Sequence, residues 1–501
     1  MHAVANALSN RQVLRVLPSW LRRQLTLLHR ELGGELYLAG GVVRDLLLGK
    51  VPADIDLTMP ERARVWAGKL AVLTGGALVP LGREEDAARV VCRRTTIDFS
   101  SFRQGARTIA EDLIRRDLSV NALALRLDPW LNRPRADDEV EVPLIDPTGG
   151  LADLRHGLIR VASAESFTSD PLRLLRVFRF AATLEFAVEA ATFGLVHQHC
   201  RLITQVAPER IAYELDCIVA APDVHGAIRL MAESGLLWQM IPELAAGVGM
   251  EQPKSHHLDV WLHNLETLRQ MERIIAEPSR YFPEMGERMA AYLAGTRQPR
   301  RLKWAALLHD LGKPATFALR ADKGDRITFY NHDLIGARMF NAFALRLRWS
   351  NEERASVGRL IAGHMRPFHL ANVARAGNLS SRAAIRMIRQ AGGELPGLFL
   401  LAMADSLAGQ GVERLEGMEG ELAELYRQLE QIRSERVAPV QAAVPLLTGR
   451  DLIEVLHLQP GPVFKKILAA VEEAQMTGEV DDVNGAMRLA KKIVTDISVE
   501  S

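Results

Sequence analysis

Apolar residues recur at three- and four-residue spacings at the start of the chain, where Leu14, Leu17, Leu21, Leu25 and Leu28 predict an amphipathic helical lead-in over residues 1–34 that packs on a sheet. The pattern then changes. Glu35-Leu36-Tyr37-Leu38-Ala39 is a short apolar run ending in Gly40-Gly41, and Val42 to Leu48 resumes helical spacing, which predicts a strand, a turn and a helix. Asp54-Ile55-Asp56-Leu57 alternates polar and apolar, as an extended segment buried on one face does. A helix over Glu61 to Leu73 and strands at 77–80, 89–91 and 96–100 follow, the strands forming an antiparallel continuation of the sheet. Beyond about residue 150 helical periodicity prevails to the end. The expected fold class is therefore α+β, a small head with a mixed or antiparallel sheet followed by a long all-α region.

Composition narrows the class without naming a chemistry. At 501 residues, 48% apolar and 25% charged, the chain suits a soluble protein of two to four domains. A net charge of +1 excludes a globally basic surface, so any nucleic-acid contact must be a local patch. Cys92, Cys200 and Cys217 are odd in number and lack metal-ligand spacing, which suits a reducing cytoplasm. No apolar run approaches the roughly 20 residues that span a bilayer, and the first thirty residues lack a signal-peptide core. The expected location is cytoplasmic, with no membrane partner. Pro278 to Lys303 reads as a linker carrying a modest basic cluster of Arg297, Arg300, Arg301 and Lys303.

Three stretches carry candidate chemistry in the amino-terminal half. In the first, Gly40 and Gly41 lack a Cβ, so the backbone can turn tightly and present N–H groups to a phosphate at a helix start, with Arg44 one turn in. Asp54 and Asp56 then fall on one strand face about 7 Å apart, a spacing that suits Mg²⁺ shared with substrate phosphates. Asp98, on a neighbouring strand, completes the metal site, or takes the proton from the attacking hydroxyl, or caps a strand end. In the second stretch Arg115, Arg116, Asp117 and Asn121 sit at the entrance to an apolar segment and suit a turn that faces triphosphate. In the third, Ser169 or Asp170 caps a helix, Pro171 fits its first turn, and Arg173, Arg176 and Arg179 recur on one face. An acceptor carboxylate and a donor guanidinium can tell amino-bearing C and A from U and G without a template.

GGVVRDLLLG followed by DID resembles the signature of the DNA polymerase β-like nucleotidyltransferases of the class II tRNA nucleotidyltransferase and bacterial poly(A) polymerase family, and RRDLSVNALA and SDPLRLLRVFRF extend the resemblance. The resemblance implies that either Arg115 or Arg116 contacts triphosphate. It also implies that Asp170 and Arg173 read the base while Arg176 and Arg179 hold phosphates. Ser169 departs from the family's usual Glu-Asp pair, which bears on positioning rather than on the reading pair. LIDPTGGLADL resembles the flexible loop that links head to neck, and Pro208 to Leu215 matches a bracing segment of the neck.

A second constellation begins near residue 250. His263, His309-Asp310 and Asp405 each interrupt an apolar helical stretch, and with HDLGK they resemble the H…HD…D metal site of HD-domain phosphohydrolases. His332 and His364 are further candidate ligands or substrate contacts, whereas His256 and His257 read as surface residues. The resemblance covers nearly the whole chain and implies a head over 1–150, a neck over 151–250, an HD domain over 251–410 and a helical tail over 411–501 in which Lys465 and Lys466 are candidates for touching RNA. The function expected is template-independent addition of C, C and A to tRNA 3′ ends from CTP and ATP, with Mg²⁺ in the head and a divalent metal in the HD site. A CC-adding, A-adding or poly(A)-adding enzyme shares every motif. An HD phosphohydrolase with an RNA-binding head is the alternative of another class.

Overall fold

The computed structural model describes residues 4–5, 7–82, 85–131, 140–323 and 326–500. The chain divides by internal packing into two compact units, Met1–Met240 and Ile241–Ser501.

In the first unit the lead-in is two helices, Asn10–Val16 and Ser19–Leu32, because Pro18 interrupts the main-chain ladder between them. Leu17, Leu21, Leu25 and Leu28 are buried as the spacing requires, but the break rotates the first helix so that Val13 rather than Leu14 points inward. Seven strands form the sheet, in the order Ala77–Pro80, Ala87–Cys92, Thr95–Ser101, Ile55–Met59, Tyr37–Ala39, Ala124–Arg126 and Leu144–Ile145. All neighbours are antiparallel except Ile55–Met59 and Thr95–Ser101, which run parallel and place Asp56 beside Asp98. The sheet is thus mixed; Ala77–Pro80 falls where the sequence sets it, Ala87–Cys92 and Thr95–Ser101 start one or two residues earlier than expected, and Tyr37–Ala39 and Ile55–Met59 start one or two later.

Two segments differ from their sequence reading. The residues expected to be a flexible head-to-neck loop are the edge strand Leu144–Ile145 and a helix, Gly150–His156, and they are packed rather than open. Asp146 accepts from the Gly150 and Leu151 amides at 2.7 and 3.0 Å, and a Cβ on Gly150 would lie 2.1 Å from the Ser119 carbonyl oxygen. The arginine-rich helix begins at Arg173, not at Ser169. Asp170 instead ends the short helix Ser166–Ser169, and its carboxylate accepts from the Leu172 amide at 3.3 Å, so the expected side-chain cap is only partly made.

The second unit is almost entirely helical, apart from a small pair of strands at Ala318–Arg320 and Arg326–Thr328. The stretch read as a basic linker is helical through Pro278–Tyr281, Gly286–Leu293 and Gln298–Leu308. Its charges are neutralised within the fold: Arg301 meets Glu352 at 2.6 Å and Glu353 at 2.9 Å, and Lys303 lies 3.6 Å from Glu272. The tail has a core of its own in Leu447, Leu452, Ile467, Val471, Ala486 and Ala490, and Thr448 and Asp451 form a capping box at the start of the helix Gly449–Glu454.

Candidate nucleotidyltransfer and metal sites

The glycine pair sits where the chain leaves the strand Tyr37–Ala39, beside Ile55–Met59 at the centre of the sheet. Gly40 has φ +86°, a conformation that L side chains rarely adopt, and a Cβ there would lie 2.7 Å from Arg116 Nη1 and 3.6 Å from Asp56 Oδ2. A Cβ on Gly41 would lie 3.7 Å from the same Asp56 oxygen. The glycine turn and the Asp56 carboxylate therefore face one space. Asp54 lies in the bend just before the strand and Asp56 is its second residue, near enough for the Asp54 charge to act on the Asp56 carboxyl. Burial pushes the Asp56 carboxyl up to about 6; Arg116 opposes this, and the negative charges of Asp98 and Asp54 add to it. Three carboxylates crowded this way favour a bound cation.

Arg116 and Arg115, left open by the sequence, take different directions. The buried Arg116 donates to Thr58 Oγ1 at 3.0 Å and to Asp112 Oδ2 at 3.3 Å, beside Gly40. Burial pulls its guanidinium down to about 10. Arg115 donates to the carbonyls of Arg103 and Gln104 and does not border the glycines.

Arg44 connects this loop to the arginine-rich helix. Its Nη1 donates to Asn121 Oδ1 at 2.6 Å, Asn121 Nδ2 donates to Asp117 at 3.2 Å, and Arg176 Nε donates to Asp117 Oδ2 at 2.6 Å. Glu214, on the neck helix Pro208–Ala220, accepts from Arg179 at 3.1 Å and lies 3.6 Å from Arg176. Burial alone would raise the Asp117 carboxyl, but Arg176, joined by the Leu118 amide and Asn121, outweighs it and holds the group well below the usual carboxylate range. The Phe180 ring is flanked by the guanidiniums of Arg179, Arg44 and Arg176 at 4.3, 5.0 and 5.4 Å.

Asp170 and Arg173 lie at the start of that helix but are bonded to other partners. Asp170 accepts from Arg210 Nη2 at 3.0 Å, while Arg173 Nη1 donates to Ser166 Oγ at 3.0 Å and Ser169 Oγ at 3.3 Å. The Ser169 that breaks the usual Glu-Asp pair therefore holds Arg173 directly. Arg89, Ser166 and Phe180 do not stand out in the sequence, whereas Glu214 and Arg210 lie in the neck segment expected to brace this helix and bond to Arg179 and Asp170. Arg89 was findable, since strand alternation across a hairpin sets it opposite Asp98.

In the second unit five helices deliver six His and Asp side chains to one point. His263 lies on Val260–Ala276, His309 and Asp310 follow Gln298–Leu308, His332 opens His332–Arg346, His364 follows Asn351–Gly363, and Asp405 lies on Leu395–Ala408. His263 Nε2 is 3.0 Å from Asp405 Oδ1 and 3.6 Å from Asp310 Oδ2; His309 Nε2 is 3.2 Å from Asp310 Oδ2. All are buried, and His309 Nε2 and Asp310 Oδ1 have no hydrogen-bond partner, orphaned groups that a cation would satisfy. The glycine of HDLGK is required by packing, since its Cβ would lie 2.1 Å from the His332 carbonyl oxygen. His256 is not a surface residue: it is half-buried, its ring 4.7 Å from that of His263, and burial takes its imidazole down to about 3. A cavity of about 730 Å³ opens over the cluster, walled by Lys313, Phe329, Tyr330, Phe368 and Arg414.

A carboxylate trio beside a glycine phosphate loop, together with a buried His/Asp cluster, defines a nucleotidyltransferase head joined to an HD metal domain. The chain matches the Poly A polymerase head domain over residues 36–160, the probable RNA and SrmB-binding site of polymerase A over 185–247, the HD domain over 269–408 and the putative tRNA nucleotidyltransferase domain 2 over 411–489. It is 33% identical over 452 residues to the A-adding tRNA nucleotidyltransferase of Deinococcus radiodurans, covering 88% of this chain and 92% of that one. To the CC-adding tRNA nucleotidyltransferase of Thermus thermophilus it is 31% identical over 453 residues, 89% and 91% of the two chains. The Multifunctional CCA protein of Pseudomonas aeruginosa shares 32% over 338 residues, 64% of this chain and 71% of that one. In fold it is similar to a CCA-adding enzyme in its apo form, with TM-score 0.62 and 19% identity over 95% of both chains. The Thermotoga maritima CCA-adding enzyme complexed with tRNA gives 0.59 at 19% identity, over 99% of this chain and all of that one. The chain belongs to the tRNA nucleotidyltransferase and poly(A) polymerase family. Among the described residues no helix is long and apolar enough to cross a membrane.

Proposed function

We propose that this protein adds C, C and A to the 3′ ends of tRNA from CTP and ATP, releasing pyrophosphate. The observation that supports this most is the unbroken run of side-chain bonds Arg44–Asn121–Asp117–Arg176, which ties the phosphate loop to the helix that begins at the base-reading pair. A triphosphate bound at one end thus has its base presented at the other.

Asp54, Asp56 and Asp98 are the proposed ligands of Mg²⁺, whose chemistry is to acidify the tRNA 3′-hydroxyl and neutralise charge at the α-phosphate and the leaving pyrophosphate. The Gly40-Gly41 amides, Arg44 and Arg116 hold the triphosphate, and Arg115 has no part in it. Asp170 offers acceptors to the exocyclic amino group of C or A, and Arg173, held by Ser166 and Ser169, offers donors to the ring edge. To do so Asp170 exchanges Arg210 for the base. In the second unit His263, His309, Asp310 and Asp405 hold a divalent metal, and the cavity above them suits hydrolysis of a phosphate ester.

Purified protein, Mg²⁺ and single labelled nucleotides, with tRNA ending at the discriminator base, at C, at CC or at CCA, test the reading by product length. Stepwise addition of C, C and A supports it, and no incorporation overturns it. A second reading, addition of the terminal A alone, is favoured by the near full-length likeness to the A-adding enzyme of Deinococcus radiodurans. Extension of only the CC-ended tRNA would establish that reading instead.

A further inference from the structure

A net charge of +1 requires any nucleic-acid contact to be a local basic patch, and the cluster at 297–303 is neutralised within the fold. An uncompensated pair of arginines stands elsewhere, at the tip of a hairpin in the head. Ala87–Cys92 and Thr95–Ser101 run antiparallel with Cys92 opposite Thr95, so Arg93 and Arg94 are the whole of the connecting turn. Their φ angles are +48° and +61°. A two-residue turn with both φ values positive is the type I′ geometry, for which Asn-Gly and Asp-Gly are the favoured pairs. A side chain with a Cβ is strained there, and arginine lacks the short polar group by which Asn or Asp bonds locally to offset the strain. Strain of this kind gathers where a residue meets a ligand.

Both residues are exposed, and among the described residues neither meets a carboxylate, in contrast to Arg89 on the preceding strand, which Asp98 holds. Arg93 is nonetheless oriented. Its guanidinium lies 5.3 Å from the centroid of the Trp20 ring on Ser19–Leu32, a stack that leaves the N–H donors around its edge open to a phosphate. Arg23, exposed one turn further along the Trp20 face of that helix, adds a third positive charge. The turn also lies at the end of the sheet where the chain enters the strand of Asp56. Ile55 is level with Ile97 in the parallel pair, so Asp54 comes level with Thr96, two residues past Arg94. Asp98 is four residues beyond Arg94, roughly 13 Å along an extended strand.

We propose that the Arg93–Arg94 turn binds the phosphate backbone of the tRNA acceptor end, behind the 3′-hydroxyl presented to Asp54 and Asp56. Two adjacent guanidiniums match successive phosphates, each taken by paired N–H donors. Asn-Gly would build the same turn without strain but carries no charge, which accounts for arginine at both positions. Contacts to phosphate fix position without reading a base, so the turn serves every tRNA alike. The inference rests on tRNA being the substrate that the head extends and names the surface of the head that holds it.

The full wild-type chain is compared with Arg93→Asn/Arg94→Gly, which installs a favoured turn pair, and with Arg94→Glu, which keeps the Arg93–Trp20 contact and reverses the other charge. Thermal melting, the Kd for CC-ended tRNA across a salt series and steady-state incorporation of ATP are measured on each. The Asn-Gly variant should melt higher than wild type yet bind tRNA about 10-fold more weakly at low salt, with the slope of log Kd against log salt reduced by roughly 1.5, at about 0.7–0.9 per phosphate contact. The KM for tRNA should rise with the Kd, and the KM for ATP should not. Arg94→Glu should weaken tRNA binding at least as much. If the Asn-Gly variant gains stability while both variants keep the wild-type Kd and salt slope, the inference is overturned, and incorporation by the wild-type chain still upholds the proposed function. A wild-type chain that binds tRNA through the turn but adds no nucleotide overturns the proposed function and leaves the surface standing. No binding of tRNA by the wild-type chain overturns both.

Discussion

Asp98 stands directly beside Asp56 in the parallel ladder, and both of its oxygens are held at 2.8 Å by Arg89 on the next strand. A carboxylate already paired with a guanidinium is a weak cation ligand until the pair opens. On the proposed reading Asp98 would join the site by exchanging Arg89 for the cation, whereas Asp54 and Asp56 would need no such exchange. Asp54→Ala and Asp56→Ala should each abolish nucleotide addition. Asp98→Ala should lower kcat by about 10²-fold, the scale of a positioned acid–base group, in single-turnover incorporation of CTP. An Asp98→Ala protein with unchanged kcat would remove Asp98 from the reaction.

Gly40 gives a prediction that separates binding from chemistry. Alanine there meets the Arg116 guanidinium at 2.7 Å and must adopt φ +86°, at a cost of about 1–2 kcal/mol. Arg116 is the group that must give way, so Gly40→Ala should raise the KM for CTP and ATP by more than it lowers kcat. Steady-state kinetics on CC-ended tRNA with ATP reads the split. An equal fall in kcat with KM unchanged would place Gly40 outside triphosphate binding.

The same residues show how far the head is legible in the amino-acid sequence alone. Gly40, Asp56 and Arg116 lie within segments whose local pattern announces a turn, a strand and a charged entrance, so their types and spacing suffice. Pairings across the fold are harder to read than the residues themselves. Arg89 pairs with Asp98 only because a hairpin returns the chain in register, and Glu214 reaches Arg179 across 35 positions of sequence. The basic cluster of 297–303 misleads because linear proximity suggests a surface patch, while Glu352 and Glu353, brought in by packing, neutralise it. His256 misleads for the converse reason: a loop position without periodicity gives no sign that it packs against His263.

The Asp117–Arg176 pair sets a pH dependence whose sign is fixed. Asp117 has a folded-state value depressed below that of the unfolded chain, so its contribution to stability is fully present above the unfolded value, about 3.9. That contribution is lost as pH falls through the folded value. Asp117→Asn should therefore destabilise the first unit at pH 7, on the order of 3 kcal/mol for a buried pair left with one charge. The gap to wild type should narrow steadily below about pH 4. Urea unfolding monitored at pH 7 and at acid pH checks it, and a gap that is constant with pH would mean that the pair carries no net linkage.

Base choice should depend on Ser169 through Arg173 rather than through Asp170. Arg173 is anchored by Ser166 and Ser169, and Asp170 by Arg210, so the two readers are positioned independently. Removing the Ser169 hydroxyl takes the weaker of two anchors from Arg173 and leaves Asp170 untouched. Ser169→Ala should then lower the kcat/KM for CTP and ATP about 5-fold, the size of one hydrogen bond near 1 kcal/mol, with UTP and GTP still rejected because Asp170 still demands an amino group. Asp170→Ala should instead admit UTP, since the acceptor that excludes its carbonyl is gone. Arg210→Ala frees Asp170 from its ion pair, and because that pair is exposed its loss should cost little stability. Competition of all four nucleotides on one tRNA ending at C, read by primer-extension sequencing, distinguishes the three. UTP incorporation by Ser169→Ala at the level seen for Asp170→Ala would mean that the pair acts as one unit after all.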